Sequence, residues 1–135
     1  MFVSRRADYG IRAMLDVAAA SPQGMALTRE IAARQDIPLA FLAKIVARLT
    51  QGGLLQAQRG AGGGVALGRP ASQISLRQIV EVVDGPIAVN RCLRNPSECQ
   101  MSDRCPIMPV WGEAQSGLLQ VLDRVTLADL AQRAS

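Results

Sequence analysis

The chain has 135 residues, 49% apolar and only 3% aromatic, with a net charge of +4. That length accommodates one domain with a core of its own and no need of disulfide staples. No apolar run reaches the roughly 18 residues of a membrane span, and the absence of histidine excludes His-based general bases, Ser-His-Asp and Cys-His arrangements and mixed Cys/His zinc sites.

Leu, Ile, Val, Ala and Met must build the core, a usage that favours helices. No apolar stretch follows Met1-Phe2-Val3-Ser4-Arg5-Arg6, so no signal peptide is expected and the cytoplasm is the expected compartment. The charge is uneven. Residues 1–70 carry nine basic and four acidic side chains, whereas residues 71–135 carry six and seven. A basic front half is the electrostatic footprint expected of a nucleic-acid binder, and charge alone does not separate that from a solvated surface.

In chain order, residues 7–21 predict an amphipathic helix. Tyr9, Ala13, Leu15, Val17 and Ala20 surround its apolar face, and Ser21-Pro22-Gln23-Gly24 ends it. Leu27 to Ile31 open a short second helix with Thr28 as its expected N-cap. Asp36-Ile37-Pro38 interrupts, and Pro38 suits the first turn of a third helix running to Gln51. Leu42, Ile45, Val46 and Leu49 give that helix one inward face, with Ala40, Phe41, Lys44 and Arg48 on the opposite side. Two short helices joined tightly, the second with a basic outer face, outline a helix-turn-helix.

Two short strands follow, at 54–58 and 65–68, joined by Arg59-Gly60-Ala61-Gly62-Gly63-Gly64. Strand, glycine-rich tip, strand reads as a hairpin, and directly after a helix-turn-helix it reads as a wing. Ser75 caps an expected helix over 76–84, with Leu76, Ile79, Val80 and Val83 as its core face, and Gly85-Pro86 breaks it. Residues 91–105 read as a polar loop. A long helix begins at Val110, with Trp111, Ala114, Leu118, Val121 or Leu122, and Val125 repeating at a spacing that suits packing on an identical helix. Thr126 is placed to cap a short last helix.

The glycine tip lacks the Gly-Lys-Ser/Thr ending of a phosphate-binding loop, and a strand rather than a helix follows it. A wing tip fits better: Gly60, Gly62 and Gly63 let the backbone approach DNA closely, and Arg59 is then placed to enter a minor groove. On the third helix, Lys44 and Arg48 suit phosphates, and Ala40 and Phe41 suit thymine methyls. All three cysteines, Cys92, Cys99 and Cys105, cluster within the polar segment. Thiolates are the preferred ligands of soft metals and iron–sulfur centres. Four readings follow: an iron–sulfur cluster completed by a fourth ligand, zinc with a borrowed carboxylate, a redox thiol sensor, or inert thiols. Inert thiols fit least, because packing cysteines favour apolar elements.

Several runs appear in the order of a known family. They are Asp8 to Met14, Leu27 to Ile31, Phe41 to Leu49, Gly53 through the glycine tip to Ala71, the triple cysteine, and Thr126 to Leu130. Over almost its whole length the chain resembles the bacterial Rrf-type winged-helix regulators, which include IscR, NsrR and RirA. The resemblance implies a homodimer whose long C-terminal helices pair, double-stranded operator DNA as the partner, and a two-iron or four-iron cluster on Cys92, Cys99 and Cys105. IscR-like members complete the site with a histidine three residues after the last cysteine, where this chain has Met108. NsrR-like members use an aspartate of the partner's first helix, and Asp8 stands at that position.

The expected fold is mainly α with a small β-hairpin wing: a winged helix-turn-helix over residues 1–85, a cysteine-bearing loop over 86–109, and a dimerisation helix with a C-terminal helix over 110–135. The expected function is that of a DNA-binding regulator, a repressor switched by the cluster in response to nitric oxide, redox or iron–sulfur status. DNA contacts are expected from Thr28, Ala40, Phe41, Lys44, Arg48, Arg59, Gly60, Gly62 and Gly63. No enzyme activity, small-molecule substrate or membrane partner is expected. A cluster-free thiol or iron sensor, or a small iron–sulfur carrier, are the alternatives.

Overall fold

A computed structural model describes residues 3–20, 25–58, 64–95 and 104–134, with residues 91–92 by backbone alone. Helix α1 (Arg5–Ala20) buries Ala7, Gly10, Ala13, Met14 and Val17. Small residues at this spacing let neighbouring helices approach: a Cβ on Gly10 would sit 3.1 Å from Val83. Tyr9, Leu15 and Ala20, expected around this face, are half-buried and pack against the core.

A two-residue strand, β1 (Ala26–Leu27), precedes α2 (Thr28–Gln35). Its pairing with the later hairpin holds Leu27 extended, so Leu27 occupies the cap position and Thr28 is the first helical residue. The expected Thr28 cap is thereby corrected: the cap position belongs to Leu27, whose side chain has no polar atom to offer. Asp36 ends α2 in the left-handed conformation (φ 55°, ψ 51°), which a short polar side chain tolerates. The Ile37 N–H then donates to the Ala32 carbonyl at 2.9 Å, closing the turn into α3 (Leu39–Gln51).

Leu42, Ile45 and Leu49 are the buried face of α3. Gly53, at φ 81°, turns the chain into β2 (Leu55–Gln58), which pairs antiparallel with β3 (Gly64–Leu67). The sheet order is β1-β3-β2, so β3 is central and fixes the hairpin against the start of α2. Helix α4 (Leu76–Asp84) opens with the expected Ser75 cap, completed as a reciprocal box by Gln78.

One turn of helix, α5 (Arg91–Arg94), lies in the segment expected to be entirely loop. Helix α6 (Met108–Arg124) starts two residues before the expected Val110, with Pro109 in its first turn where no N–H is needed. Thr126 and Asp129 cap the start of α7 (Leu127–Ala134) by exchanging bonds of 3.0 and 3.1 Å. The last helix returns to the front of the fold, where Leu127 joins the main core with Met14, Ile31, Leu42, Leu54 and Ile79. No residue of α6 is buried, and Val110 and Val121 are exposed. No helix among the described residues is long and apolar enough to cross a membrane.

Candidate functional site

The helix-turn-helix is rigidly mounted. Asp16 of α1 is almost fully buried and accepts from Arg34 Nη2 at 2.7 Å, Arg34 Nε at 3.1 Å and Gln35 Nε2 at 3.0 Å, which ties α1 to the end of α2. Burial raises the pKa of this carboxyl, and the bonds from Arg34 and Gln35 outweigh it, so the group ends below its ordinary value. The sequence reading missed this pair. An acid flanked by Ala13, Met14 and Val17 on an apolar helix face was the signal for it.

On α3, Ala40, Ala43, Lys44 and Ala47 are exposed, away from the core. Phe41 and Arg48 occupy the flank. The Phe41 ring meets Tyr9 of α1 edge-on, centroids 5.6 Å apart, so it packs against α1. Arg48 Nη1 donates to the Val83 carbonyl at 2.6 Å, near the C-terminal end of α4, where carbonyls lack helical partners and favour a cation. Its guanidinium is thus engaged by the end of α4, although the residue is exposed. Lys44 has no ion pair among the described residues. The wing-tip residues Arg59, Gly60, Gly62 and Gly63 lie outside the described residues.

Asp8 sits in the first turn of α1 with its side chain 54% exposed. It accepts from Arg12 at 2.8 Å (Nη2) and 3.2 Å (Nε). The same guanidinium donates to the Gln35 carbonyl at 3.3 Å and lies 5.2 Å from the centre of the Tyr9 ring. Through Arg12, Asp8 is linked to the end of α2 and, by way of Tyr9 and Phe41, to α3.

Of the cysteines, Cys105 is a free, half-buried thiol just before α6. Cys92 lies on α5, which packs on α6. Its side chain, and all of Cys99, lie outside the described residues. Among the described residues no three Cys, Asp or Glu side chains gather as a metal site.

Two short helices in a tight turn, the second outward-facing, followed by a β-hairpin, define a winged helix-turn-helix protein of the DNA-binding class. The chain belongs to the Rrf2 family, whose model, described as an iron-dependent transcriptional regulator, matches residues 3–133. The HTH-type transcriptional regulator IscR of Serratia proteamaculans (strain 568) is 35% identical over 130 residues, covering 96% of this chain and 79% of that protein. Among solved structures, T. potens IscR has a TM-score of 0.77 at 29% identity, covering 100% of this chain and 89% of that one. The oxidised form of Staphylococcus aureus CymR has a TM-score of 0.76 at 28% identity, covering 97% and 96%. The protein is thus a DNA-binding transcriptional regulator, and its relatives are regulators rather than enzymes.

Proposed function

We propose that the protein is a homodimeric repressor whose operator affinity is set by an iron–sulfur cluster held by Cys92, Cys99 and Cys105 of one subunit and Asp8 of its partner. The observation that carries this reading is the place of Asp8: exposed, in the first turn of α1, and joined through Arg12 to the end of α2 and the Tyr9 ring. The donor set suits the group, with thiols as soft ligands and a carboxylate as the weaker, exchangeable one. Cys105 is free, and the packing of α5 on α6 supports bringing Cys92 toward it. When bound, the cluster supplies a centre reactive toward nitric oxide, oxygen and iron loss.

The chain's own residues supply the rest. A ligand that takes the Asp8 carboxylate competes with Arg12 for it. Arg12 keeps its bond to Gln35 and its place over Tyr9, and Tyr9 bears on Phe41 of α3. The half-exposed apolar side of α6, with Val110, Trp111 and Val121, is the surface for the partner's α6. Lys44 and Ala40 face the DNA with Thr28, while Arg48 and Phe41 act mainly by holding α3 in place. Arg59, Gly60, Gly62 and Gly63 form the wing contact. The cluster responds to nitric oxide, redox or iron–sulfur status.

The test is anaerobic purification with absorption and Mössbauer spectra, then binding to a duplex selected from random sequence, with and without nitric oxide. A four-iron cluster lost to nitric oxide together with DNA affinity is the expected result. Asp8→Ala shortens the cluster lifetime and leaves the dimer intact. A colourless, iron-free protein that binds DNA would withdraw Asp8 from the site. It would favour a thiol sensor without a cluster, the reading to which the likeness to a CymR solved in an oxidised form lends support.

A further inference from the structure

Outside the main core, helices α1, α4 and α6 meet in a second, smaller apolar contact. Its buried apolar part is Ala7, Val80 and Ile87, against which Leu118 and Leu122 of α6 pack half-buried. The polar part runs through Glu81 of α4, which uses both carboxylate oxygens. Oε1 accepts from Arg77 Nε at 2.9 Å, and Arg77 Nη1 reaches across to Asp123 of α6 at 3.0 Å. Oε2 accepts from the backbone N–H of Ile87 at 3.2 Å.

Ile87 begins the approach to the cysteines. Gly85, at φ 87°, has just turned the chain away from α4. The Val89 N–H donates to Gln115 of α6 at 3.0 Å, and α5 with Cys92 follows. Glu81 therefore holds the root of the cysteine-bearing segment and, through Arg77, the far half of α6. On the same helix, two residues later, the Val83 carbonyl receives Arg48 of α3. A rigid helix thus carries the cysteine segment at one contact and the recognition helix at another. Unlike an ordinary surface ion pair, the Arg77–Glu81 pair also holds a backbone N–H of the segment that follows α4.

We propose that Glu81 is a positioning residue that couples the cysteine-bearing segment to the recognition helix, by way of α4 and the Arg48–Val83 bond. The inference rests on the reading of the cysteines as the switch. Coupling is a difference of affinities between two states, so the test reads a ratio.

The experiment compares the full chain with Glu81→Ala and Glu81→Gln, each iron-loaded under anaerobic conditions and again after chelation. Affinity is measured for one duplex selected from random sequence by the unmodified chain, with iron content and melting recorded alongside. In the unmodified chain the two forms differ in affinity by about tenfold or more. Glu81→Ala brings that ratio to within about twofold of one at unchanged iron content, which a merely structural role would not do. Glu81→Gln keeps an acceptor for the Ile87 amide and restores most of the ratio. Where Glu81→Ala fails to fold, Arg48→Met cuts the same route at its α3 end, with the same expectation for the ratio. A ratio retained by these variants overturns the inference and leaves the switch standing. A ratio of one in the unmodified chain overturns the switch reading, and this inference with it.

Discussion

Asp16→Ala severs the joint between α1 and α2, and its cost follows from the asymmetry of exposure. The Asp16 side chain is 6% exposed, whereas its partner Arg34 is 48% exposed. Hydrogen bonds to charged groups contribute about 1.5–3 kcal/mol each, and Asp16 receives them from two residues. Against this, removing the carboxylate also removes the cost of burying it. Arg34 and Gln35 return to water, so the penalty of about 3–5 kcal/mol for a stranded buried charge does not arise. The balance is about 2 kcal/mol of lost stability, or about 7 °C in Tm for a domain of this size.

Urea unfolding followed by circular dichroism measures it, with an unchanged slope showing that the unfolded state is the same. Arg34→Ala is the sharper partner experiment. It leaves Asp16 buried without its cation, so it destabilises more than Asp16→Ala, and the double variant resembles Asp16→Ala rather than the sum. A loss under about 0.5 kcal/mol for Asp16→Ala, or additive single losses, would refute the reasoning that this pair is a coupled, buried joint.

The same carboxyl gives a pH signature. Its folded pKa lies below its ordinary value, so its stabilisation is present above the unfolded pKa near 3.9 and is lost as pH falls through the folded value. The stability gap between the unmodified chain and Asp16→Asn, followed by denaturant titration, stays level from pH 7 to about pH 5 and closes below about pH 4. Gly68→Ala places a Cβ against the Gly53 carbonyl oxygen at the root of the wing, where rigid backbone cannot yield. A loss of about 2–3 kcal/mol in urea unfolding is expected. Lys44→Ala lowers the magnitude of the slope of log affinity against log salt by about 2 for a dimer. Arg48→Ala lowers Tm and leaves that slope unchanged.

Local chemistry made much of this fold legible. Ser75 with Gln78 and Thr126 with Asp129 are complete cap signals within four residues, and both helices start where they indicate. Leu42, Ile45 and Leu49 are buried as their spacing required. What escaped reading depends on distant partners. The strand β1 is two residues long and exists because Ala26 and Leu27 pair with Val65 and Gly64. That pairing also displaced the cap from Thr28. Helix α5 is a single turn in a segment of small polar residues, too short for any periodicity. The role of Arg48 was hidden for a similar reason: its spacing along α3 places it on the outer side, and only the packing of α4 brings a carbonyl within reach.

The fate of the arginines refines the argument from charge. The basic excess of the front half suggested a surface for phosphates, yet several of its cations are paired with groups of the chain itself. Arg6 lies 3.6 Å from Asp84, Arg12 pairs with Asp8, Arg34 with Asp16, and Arg48 binds the Val83 carbonyl. Among the described residues of the front half, Arg5 at the start of α1, Arg29 at the start of α2, Lys44 on the outer face of α3 and Arg69 after the wing have no such bond. The last three flank the helix-turn-helix and wing. Net charge therefore overstates the number of cations free for phosphate contacts, while three of the four unpaired cations lie near the helix-turn-helix and wing. The paired arginines have a second consequence: they lock α1, α2, α3 and α4 together. A displacement of α1 or α4 is then carried into α3, as the proposed regulation from the cysteine segment requires.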